Sequence, residues 1–378
     1  MQPIYLDNAA STRVSDEVLA LMTEVMRTAW GNPSSQHPQG AAARAHLETA
    51  RTRLLAALAD RGIGDIIWTS GCSEANALAV LGAMHARTGP LVTSTLEHPA
   101  VATVADRLAR EGRTVLRLAP GKDGVLDPDE VARAATDDGV VALIMVQNEI
   151  GVVEPIAAIA AAIRARTPRC HIHVDAAQAL GKVALDAGAL GVDSIALAGH
   201  KLHAPKGTGA LWLRSGIALE PLWVGGGQQR GLRGGTQDAP GAAALGLAAE
   251  RAIAALTTAR TRWLEHAGRI TATLAARGVA FRQLVPDHRR APHILALGIA
   301  GVPAEALRNV LASRGVYVST GSACADDGAK ASPVLEAIGL PPDHGMVRIS
   351  FGLDTQADEV TAAAAILGEV ALQLRGQT

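Results

Sequence analysis

Between about residue 40 and residue 256, short apolar runs rich in β-branched residues alternate with segments of helical period. This alternation is typical of βαβ units, and it predicts a largely parallel sheet covered by helices. Helices are expected between the strands at roughly 74–87, 99–111, 128–136 and 155–166. Seven strands are predicted, at residues 65–70, 91–95, 114–118, 140–146, 171–174, 194–198 and 210–213.

The last two predicted strands are joined only by GHKLHAPKGTG, which is too short for a helical crossover. We therefore expect them to be antiparallel or separated in the sheet. The glycine-rich stretch 225–235 predicts a functional or inter-subunit loop rather than a regular element. A long alanine-rich helical stretch, 238–277, then leads into a second pattern of short strands and helices that ends near residue 375.

These patterns predict an α/β protein of two domains. The large domain is expected to span 14–250, with a mostly parallel seven-stranded sheet. The smaller α+β domain is expected to combine 1–13 with 251–378. A chain of 378 residues is too long for one ordinary core, which agrees with this division.

Composition narrows the possible functions. The formal net charge is −1 and aromatic residues make up 2% of the chain, so direct binding to nucleic acid or to a membrane is not expected. The three cysteines have no CxxC spacing, which predicts neither a disulfide framework nor a metal site. The chain starts without a secretory pattern and no uninterrupted apolar run has the length of a membrane span, so a cytoplasmic location is expected.

Polar residues follow the predicted strands where ligands of open α/β sheets bind, at the carboxyl ends. Gly71-Cys72-Ser73 starts a predicted helix, whose free N–H groups suit a phosphate, although Ser73 as a simple helix cap is the commoner explanation. His98, Asn148 and Asp175 each follow another strand. A single residue of this kind is usually a turn or a cap, but burying so many polar groups at one edge without a ligand would be costly.

Lys201 follows the strand at 194–198 and is expected at the same edge. A partly desolvated lysine has a lowered pKa and can form a Schiff base with a carbonyl compound. The alternative, a solvated surface lysine, is the commoner state of lysines in general.

Together, the motifs resemble the NifS/IscS cysteine desulfurases, class V of the fold-type-I enzymes that use pyridoxal 5′-phosphate (PLP). The resemblance runs in order from residue 4 to about residue 351. It rests on the segments IYLDNAAST, WGNPSSQHPQG, TSGCSEANALA, LEHPAV, VQNEIGVVEPI, IHVDAAQALGK, AGHKLHAPKGTGALW, GGGQQRGLRGGT and STGSAC.

The resemblance implies a division of catalytic roles. Lys201 would form the Schiff base with PLP, and Asp175 would pair with the pyridinium nitrogen of the cofactor. His98 would lie against the ring and transfer protons. Cys324, within STGSACADDG, would accept the sulfur of L-cysteine as a persulfide while alanine is released.

The resemblance also implies the binding residues. Cofactor contacts would come from Asn148 and from Gln178, which would bind the phenolic oxygen. Substrate contacts would come from Asn148, Asn32 and Arg348, the last gripping the carboxylate as a bidentate fork. The phosphate would be held by Cys72, by Ser73, by His200 and by Thr236 of a neighbouring subunit. Cys72 is expected to act through its backbone N–H rather than its thiol.

The implied partners are L-cysteine, a second copy of the chain in a homodimer, and a sulfur-acceptor protein such as an iron–sulfur scaffold or a thiolation protein. Ala198 stands where the family usually has serine, so one phosphate contact is expected to be missing. Three alternatives stay open: a class V aminotransferase, a selenocysteine lyase, and a non-catalytic PLP-binding module.

Overall fold

The structure, a computed structural model, describes residues 3–321 and 332–376. Its strands are β1 (Ile4–Tyr5), β2 (Gly64–Thr69), β3 (Leu91–Ser94), β4 (Val115–Leu118), β5 (Val140–Ile144), β6 (His171–Asp175), β7 (Ser194–Ala198), β8 (Gly209–Arg214), β9 (Phe281–Gln283), β10 (Ile294–Ala300), β11 (Val316–Tyr317) and β12 (His344–Ser350). Its helices are α1 (Asp16–Thr28), α2 (Pro38–Ala57), α3 (Cys72–His85), α4 (Pro99–Arg110), α5 (Pro128–Ala134), α6 (Ile156–Arg166), α7 (Ala187–Leu190), α8 (Ala239–Ala276), α9 (Ala304–Ser313), α10 (Pro333–Ala337) and α11 (Ala357–Arg375).

The central sheet has seven strands in the order β2-β8-β7-β6-β5-β3-β4. β8 runs antiparallel to both of its neighbours, and the other strand pairs are parallel. Every residue of β5, β6 and β7 is buried, as expected for strands that are covered on both faces. The predicted α/β class and the mostly parallel seven-stranded sheet are therefore confirmed.

The sheet brings the carboxyl ends of β3, β5, β6 and β7 to one edge, because these four strands are neighbours and run in the same direction. The short connection between β7 and β8 begins with a 3₁₀ turn, Gly199–Lys201, and leads into an antiparallel pairing. The sequence predicted that these two strands are either antiparallel or separated in the sheet. In the structure they are paired and antiparallel.

A second core lies around the antiparallel sheet β12-β10-β9 and the parallel pair β1-β11. Helix α8 belongs to both cores: its residues from Ala239 to Ala252 pack with the large sheet, and those from Ala259 to Leu274 pack with the second core. The predicted boundary at 250/251 falls just before Ala252, the last residue of the first group, and the pairing of β1 with β11 supports assigning residues 1–13 to the smaller domain. The division stays a prediction.

Small residues allow α8 to lie close to the helices beside it. A Cβ added at Gly246 would come within 2.8 Å of the Cα of Ala50 in α2, so a larger residue there would push the two helices apart. Within the described residues, α8 is also long and apolar enough to cross a bilayer by length and composition. Half of its most apolar window is buried inside the protein, however, as in the core helix of a globular domain.

The glycine-rich stretch 225–235 makes a tight turn at Gln228–Gly231, where Gln229 and Arg230 both have a positive φ, so it is irregular as predicted. Gln229 donates to the carbonyl of Trp68 in β2 at 3.0 Å and accepts from the N–H of the same residue. Arg233 forms an ion pair of 2.9 Å with the buried Glu74 of α3. These contacts bind the stretch to β2 and α3 of its own chain.

Candidate functional site

A cavity of about 530 Å³ lies at the carboxyl edge of the central sheet. One side, called the sheet wall below, consists of Cys72, His98, Asp175 and Lys201. Another part of the lining, called the arginine wall, consists of Arg348 and of residues 9–11 in the segment that follows β1, and the carbonyls of Ala9 and Ala10 contact Lys201 directly. The volume is in the range of sites that bind small molecules or cofactors.

Asp175 ends β6 and is almost fully buried. Its Oδ1 accepts from the N–H of Ala177 at 3.0 Å and from the thiol of Cys72 at 3.4 Å. Its Oδ2 accepts from the side-chain amide of Asn76 at 2.7 Å. A carboxylate held by donors in this way is a fixed negative charge that faces the cavity, and it suits a cationic or N–H group on a ligand.

Lys201 ends the 3₁₀ turn after β7. Its Nζ donates to the backbone carbonyls of Ala9 and Ala10, at 2.6 and 2.7 Å. Burial, helped by the positive charge of Arg348, lowers the pKa of Lys201 from 10.5 to about 8. A useful fraction of this amine is therefore neutral near physiological pH, which is the form that attacks carbonyl compounds.

Two histidines flank the lysine in neutral form. Nδ1 of His98 accepts from the N–H of Ala100 at 3.1 Å and caps α4, so Nε2 carries the proton of the neutral ring. Burial lowers the pKa of His98, and the nearby Asp175 opposes part of that shift. Burial, together with the charge of Lys201, lowers the pKa of His200 to about 4. Both lowered pKa values keep the rings neutral near pH 7.

Arg348 lies on β12 and is nearly inaccessible to solvent. Its Nη1 donates to the carbonyl of Asn148 at 2.8 Å, and its Nη2 pairs with Asp7 at 2.7 Å. Its Nε is buried and finds no hydrogen-bond partner among the described residues. A buried guanidinium that borders a cavity with donors to spare is suited to a carboxylate, which can take two parallel N–H bonds.

Helix α3 points its first turn at the cavity. Its N-cap, Gly71, has no side chain to cap the helix, and Cys72 and Ser73 line the cavity. Free N–H groups at a helix start favour an anion. Burial, with Asp175 nearby, raises the pKa of the Cys72 thiol well above its usual value, so the thiol stays protonated. The thiol also donates to Asp175, and the expectation that Cys72 acts through its backbone N–H stays a prediction.

The described structure gathers most of the predicted site residues around this one cavity. Its lining includes Cys72, Ser73, His98, Asn148, Asp175, Gln178, His200, Lys201 and Arg348. Their individual roles stay predictions.

Two predicted site residues of the described chain, Asn32 and Thr236, do not line the cavity. Asn32 is exposed, and its side chain accepts from the N–H of Ser34 at 2.9 Å. Thr236 is exposed beside a smaller neighbouring pocket that shares Ser70, Gly207 and Thr208 with the main cavity. Cys324 lies outside the described residues.

Sequence inspection missed several residues that shape the site. Asp7 is separated from its partner Arg348 by 341 positions, and the carbonyls that bind Lys201 carry no side-chain signal at all. Lys182 was also missed: its Nζ donates to Oε1 of Gln178 at 3.1 Å, while Nε2 of Gln178 donates to the carbonyl of Ala9 at 2.7 Å. The motif LDNAAS around Asp7 was the available signal, but nothing local showed where it would lie.

The fold and the cavity define an open α/β enzyme whose site lies at the ends of parallel strands, with a lysine and an aspartate on one wall and an arginine on the other. The family model "Aminotransferase class-V" matches residues 4–362, and the chain belongs to that family. The family resemblance found in the motifs is thereby confirmed.

Known relatives agree with this assignment. A cysteine desulfurase of Cereibacter sphaeroides is 38% identical over 382 residues, which cover 99% of this chain and 97% of that protein. The solved structure of a NifS-like protein is similar with a TM-score of 0.91 and 29% identity, covering 99% of this chain and 100% of the other. SspA, solved in complex with cysteine, has a TM-score of 0.78 and 29% identity, with 92% and 98% covered.

Proposed function

We propose that this enzyme is a PLP-dependent cysteine desulfurase, which converts L-cysteine to L-alanine and leaves the sulfur on Cys324 as a persulfide. The observation that carries the proposal is the position of Lys201. An amine with a pKa of about 8 lies in one cavity with a buried carboxylate and a buried guanidinium. The full-length similarity to cysteine desulfurases then selects the reaction among those that such a site can perform.

The residues present fit PLP. Asp175 offers a fixed carboxylate to the ring nitrogen, and the uncapped start of α3 suits the phosphate. Lys201 offers an amine to the aldehyde. The family's serine position, Ala198 here, lines the cavity without a hydroxyl, so the phosphate depends on the remaining donors. When bound, PLP supplies an electron sink that accepts electrons from the substrate and later returns them.

Each wall of the cavity has its own task. The guanidinium of Arg348, which lines the cavity, fixes the carboxylate of L-cysteine. The neutral fraction of Lys201 removes the Cα proton. His98, neutral and with its proton on Nε2, exchanges protons with the substrate from the sheet wall. The backbone carbonyls of Ala9 and Ala10 hold the lysine amine in reach while it is protonated.

Sulfur transfer is assigned to Cys324, on the evidence of its sequence setting. The thiolate of Cys324 attacks the sulfur of the substrate, a new S–S bond forms, and the Cβ–S bond of the substrate breaks. The electron pair of the broken bond ends, with a proton, on the carbon that becomes the methyl group of alanine. Cys72 and Cys170 are less suited to this step, because burial raises the pKa of both thiols.

The active unit is proposed to be a homodimer. Trp223 and Val224 lie directly before the glycine-rich stretch and are 53% and 83% exposed, although both are apolar. Exposed apolar residues beside a phosphate-binding residue proposed to act in the neighbouring subunit, Thr236, fit a subunit interface. Light scattering of the protein and of Val224→Glu tests this, and an active wild-type monomer would contradict it.

A cytoplasmic location is also part of the proposal, and so is a protein acceptor of the persulfide sulfur, such as an iron–sulfur scaffold or a thiolation protein. The net charge of −1 and the low aromatic content favour a protein acceptor over direct contact with nucleic acid.

The proposed function is tested by incubating the PLP-loaded protein with L-cysteine and measuring alanine and persulfide together. We expect alanine from the wild type and an added sulfur on the peptide containing Cys324. Cys324→Ser should bind PLP normally and form no alanine, because its hydroxyl is a poor sulfur acceptor. Cys170→Ala is the matched control and should stay active. Full activity in Cys324→Ser would instead favour a selenocysteine lyase or another PLP lyase, and a product other than alanine an aminotransferase.

A further inference from the structure

A continuous chain of buried polar side chains leads from Asp175 into the core. Nδ2 of Asn76 lies 2.7 Å from Oδ2 of Asp175, and Oδ1 of Asn76 lies 2.8 Å from Nε2 of His173. Nδ1 of His173 lies 2.9 Å from Oγ of Ser194, which lies 3.0 Å from Nε2 of His171. All five residues are at most 2% exposed.

The fold explains why these residues meet. His171, His173 and Asp175 alternate along β6, so their side chains share one face of the sheet. Ser194 starts β7 directly opposite His173 in the parallel pairing. Helix α3 packs on β6, which places Asn76 over the same face.

The direction of every hydrogen bond in this chain follows from chemistry. A carboxylate only accepts, so Asn76 turns its NH₂ group to Asp175 and its oxygen to His173. That oxygen also only accepts, so His173 carries its proton on Nε2. Nδ1 of His173, which carries no proton, then accepts a hydrogen bond from the hydroxyl of Ser194, whose oxygen accepts one from the Nε2–H of His171. All donors therefore point towards Asp175.

Two further observations agree with this order. The order leaves Nδ1 of His171 without a proton, and that atom is buried with no hydrogen-bond partner in the described residues. Burial, with Arg87 and Arg164 adding to it, lowers the pKa of His171 to about 3. Burial and the neighbouring His171 lower the pKa of His173 to about 3, against the opposing charge of Asp175. Both rings are therefore neutral, as the order requires.

We propose that Asn76, His173 and Ser194 are positioning residues, which present a fixed N–H donor to Asp175 and so hold its carboxylate in place for the ring nitrogen of PLP. The proposal deepens the proposed function and rests on it for the identity of the ligand. Without His173, the amide of Asn76 is free to turn its oxygen towards Asp175, where it would repel the carboxylate. A network that only filled the core would leave PLP binding unchanged as long as the protein folds.

The test compares two substitutions at the same position. His173→Phe removes the donor to Asn76, and we expect the Kd of PLP to rise at least about tenfold, as for a lost hydrogen bond to a charged group. His173→Gln keeps an amide NH₂ near the place of Nε2, and we expect it to restore most of the affinity and the visible absorption band of bound PLP. Wild-type affinity in His173→Phe, or equal losses in both variants, would overturn the proposal.

A second pair of variants covers the case in which His173→Phe does not fold. Ser194→Ala removes only the hydroxyl, and we expect a rise of about threefold in the Kd of PLP, since one neutral hydrogen bond is lost. Ser194→Thr keeps the hydroxyl and should bind PLP like the wild type. The control is His266→Phe, at a buried histidine that packs on Phe351 of the second core, and it should leave the Kd unchanged. Equal affinities in the two Ser194 variants would overturn the proposal.

The proton order can also be measured without PLP, by nitrogen-15 NMR of the histidine-labelled apoprotein. We expect His171 and His173 to be neutral at pH 6 with the proton on Nε2. A proton on Nδ1 of either ring, or titration of either ring near neutral pH, would overturn the proposed order of hydrogen bonds. Failure of the wild type to bind PLP would overturn the proposed function instead. The NMR result would then still test the hydrogen-bond order by itself.

Discussion

The two walls of the cavity differ in how the chain builds them. The sheet wall takes Asp175 and Lys201 from the ends of neighbouring parallel strands, close in sequence and directed by the sheet itself. The arginine wall joins β12 to a segment near the N-terminus, through contacts that span 341 positions. The residues of the first wall belong to the predicted large domain and those of the second to the predicted small domain, and the contacts of Lys201 with Ala9 and Ala10 join the two walls. We propose that the first wall binds the cofactor and the second binds the substrate.

The largest expected effect comes from the sheet wall. Lys201→Ala removes the amine that captures PLP and transfers protons, so kcat should fall by at least about 10²–10⁴-fold, the usual contribution of an acid–base group. The measurement is alanine formation at saturating cysteine. Lys206→Ala, at the exposed lysine that also lines the cavity, is the matched control and should keep PLP on Lys201. Full turnover in Lys201→Ala would contradict the assignment of cofactor binding to the sheet wall.

A smaller effect is expected from the arginine wall. Arg348→Ala should lower kcat/KM for L-cysteine roughly 100-fold, about 3 kcal/mol, because a buried charge-assisted contact with the carboxylate is lost. The Kd of PLP should change much less. Arg348→Lys keeps the charge but not the planar fork, and should fall between the wild type and Arg348→Ala. Equal losses of PLP and cysteine binding would show that the two walls are not separate.

The smallest effect is expected at Glu97, the residue before His98. Burial raises the pKa of Glu97 from 4.5 to about 8, and Ser94 donates to its carboxyl group. Because the folded pKa is higher, this group loses stabilising free energy as pH rises from 4.5 through about 8. Glu97→Gln cannot titrate, so its melting temperature should rise relative to that of the wild type as the pH increases across this range. Its activity at neutral pH should stay within about threefold of the wild type. A constant difference between the two melting temperatures would contradict this.

The two walls also differ in how far the sequence could predict them. Each predicted strand of the central sheet was found within a few residues of its place, because buried parallel strands are short apolar runs bounded by turns. Asp175 and Lys201 followed from the strand ends. The alternation of His171, His173 and Asp175 was visible in HIHVD, but its meaning depends on Asn76 and Ser194, which other elements supply.

The arginine wall could not be predicted from local pattern. Arg348 was proposed from family resemblance alone, and its partner Asp7 was missed, since no periodicity links a residue near the N-terminus to β12. The carbonyls of Ala9 and Ala10 belong to every residue type, so no sequence signal marks them. Asn32 was proposed for substrate binding from the same resemblance, and the described chain leaves it exposed outside the cavity.

The most direct test of this division is to trap PLP with borohydride in the wild type, Lys201→Ala and Arg348→Ala, and to locate the modified lysine by peptide mass spectrometry. We predict PLP on Lys201 in the wild type and in Arg348→Ala, although Arg348→Ala should use cysteine inefficiently. We predict no trapped PLP in Lys201→Ala. Modification of another lysine in the wild type, or loss of trapping in a folded Arg348→Ala protein, would contradict this division.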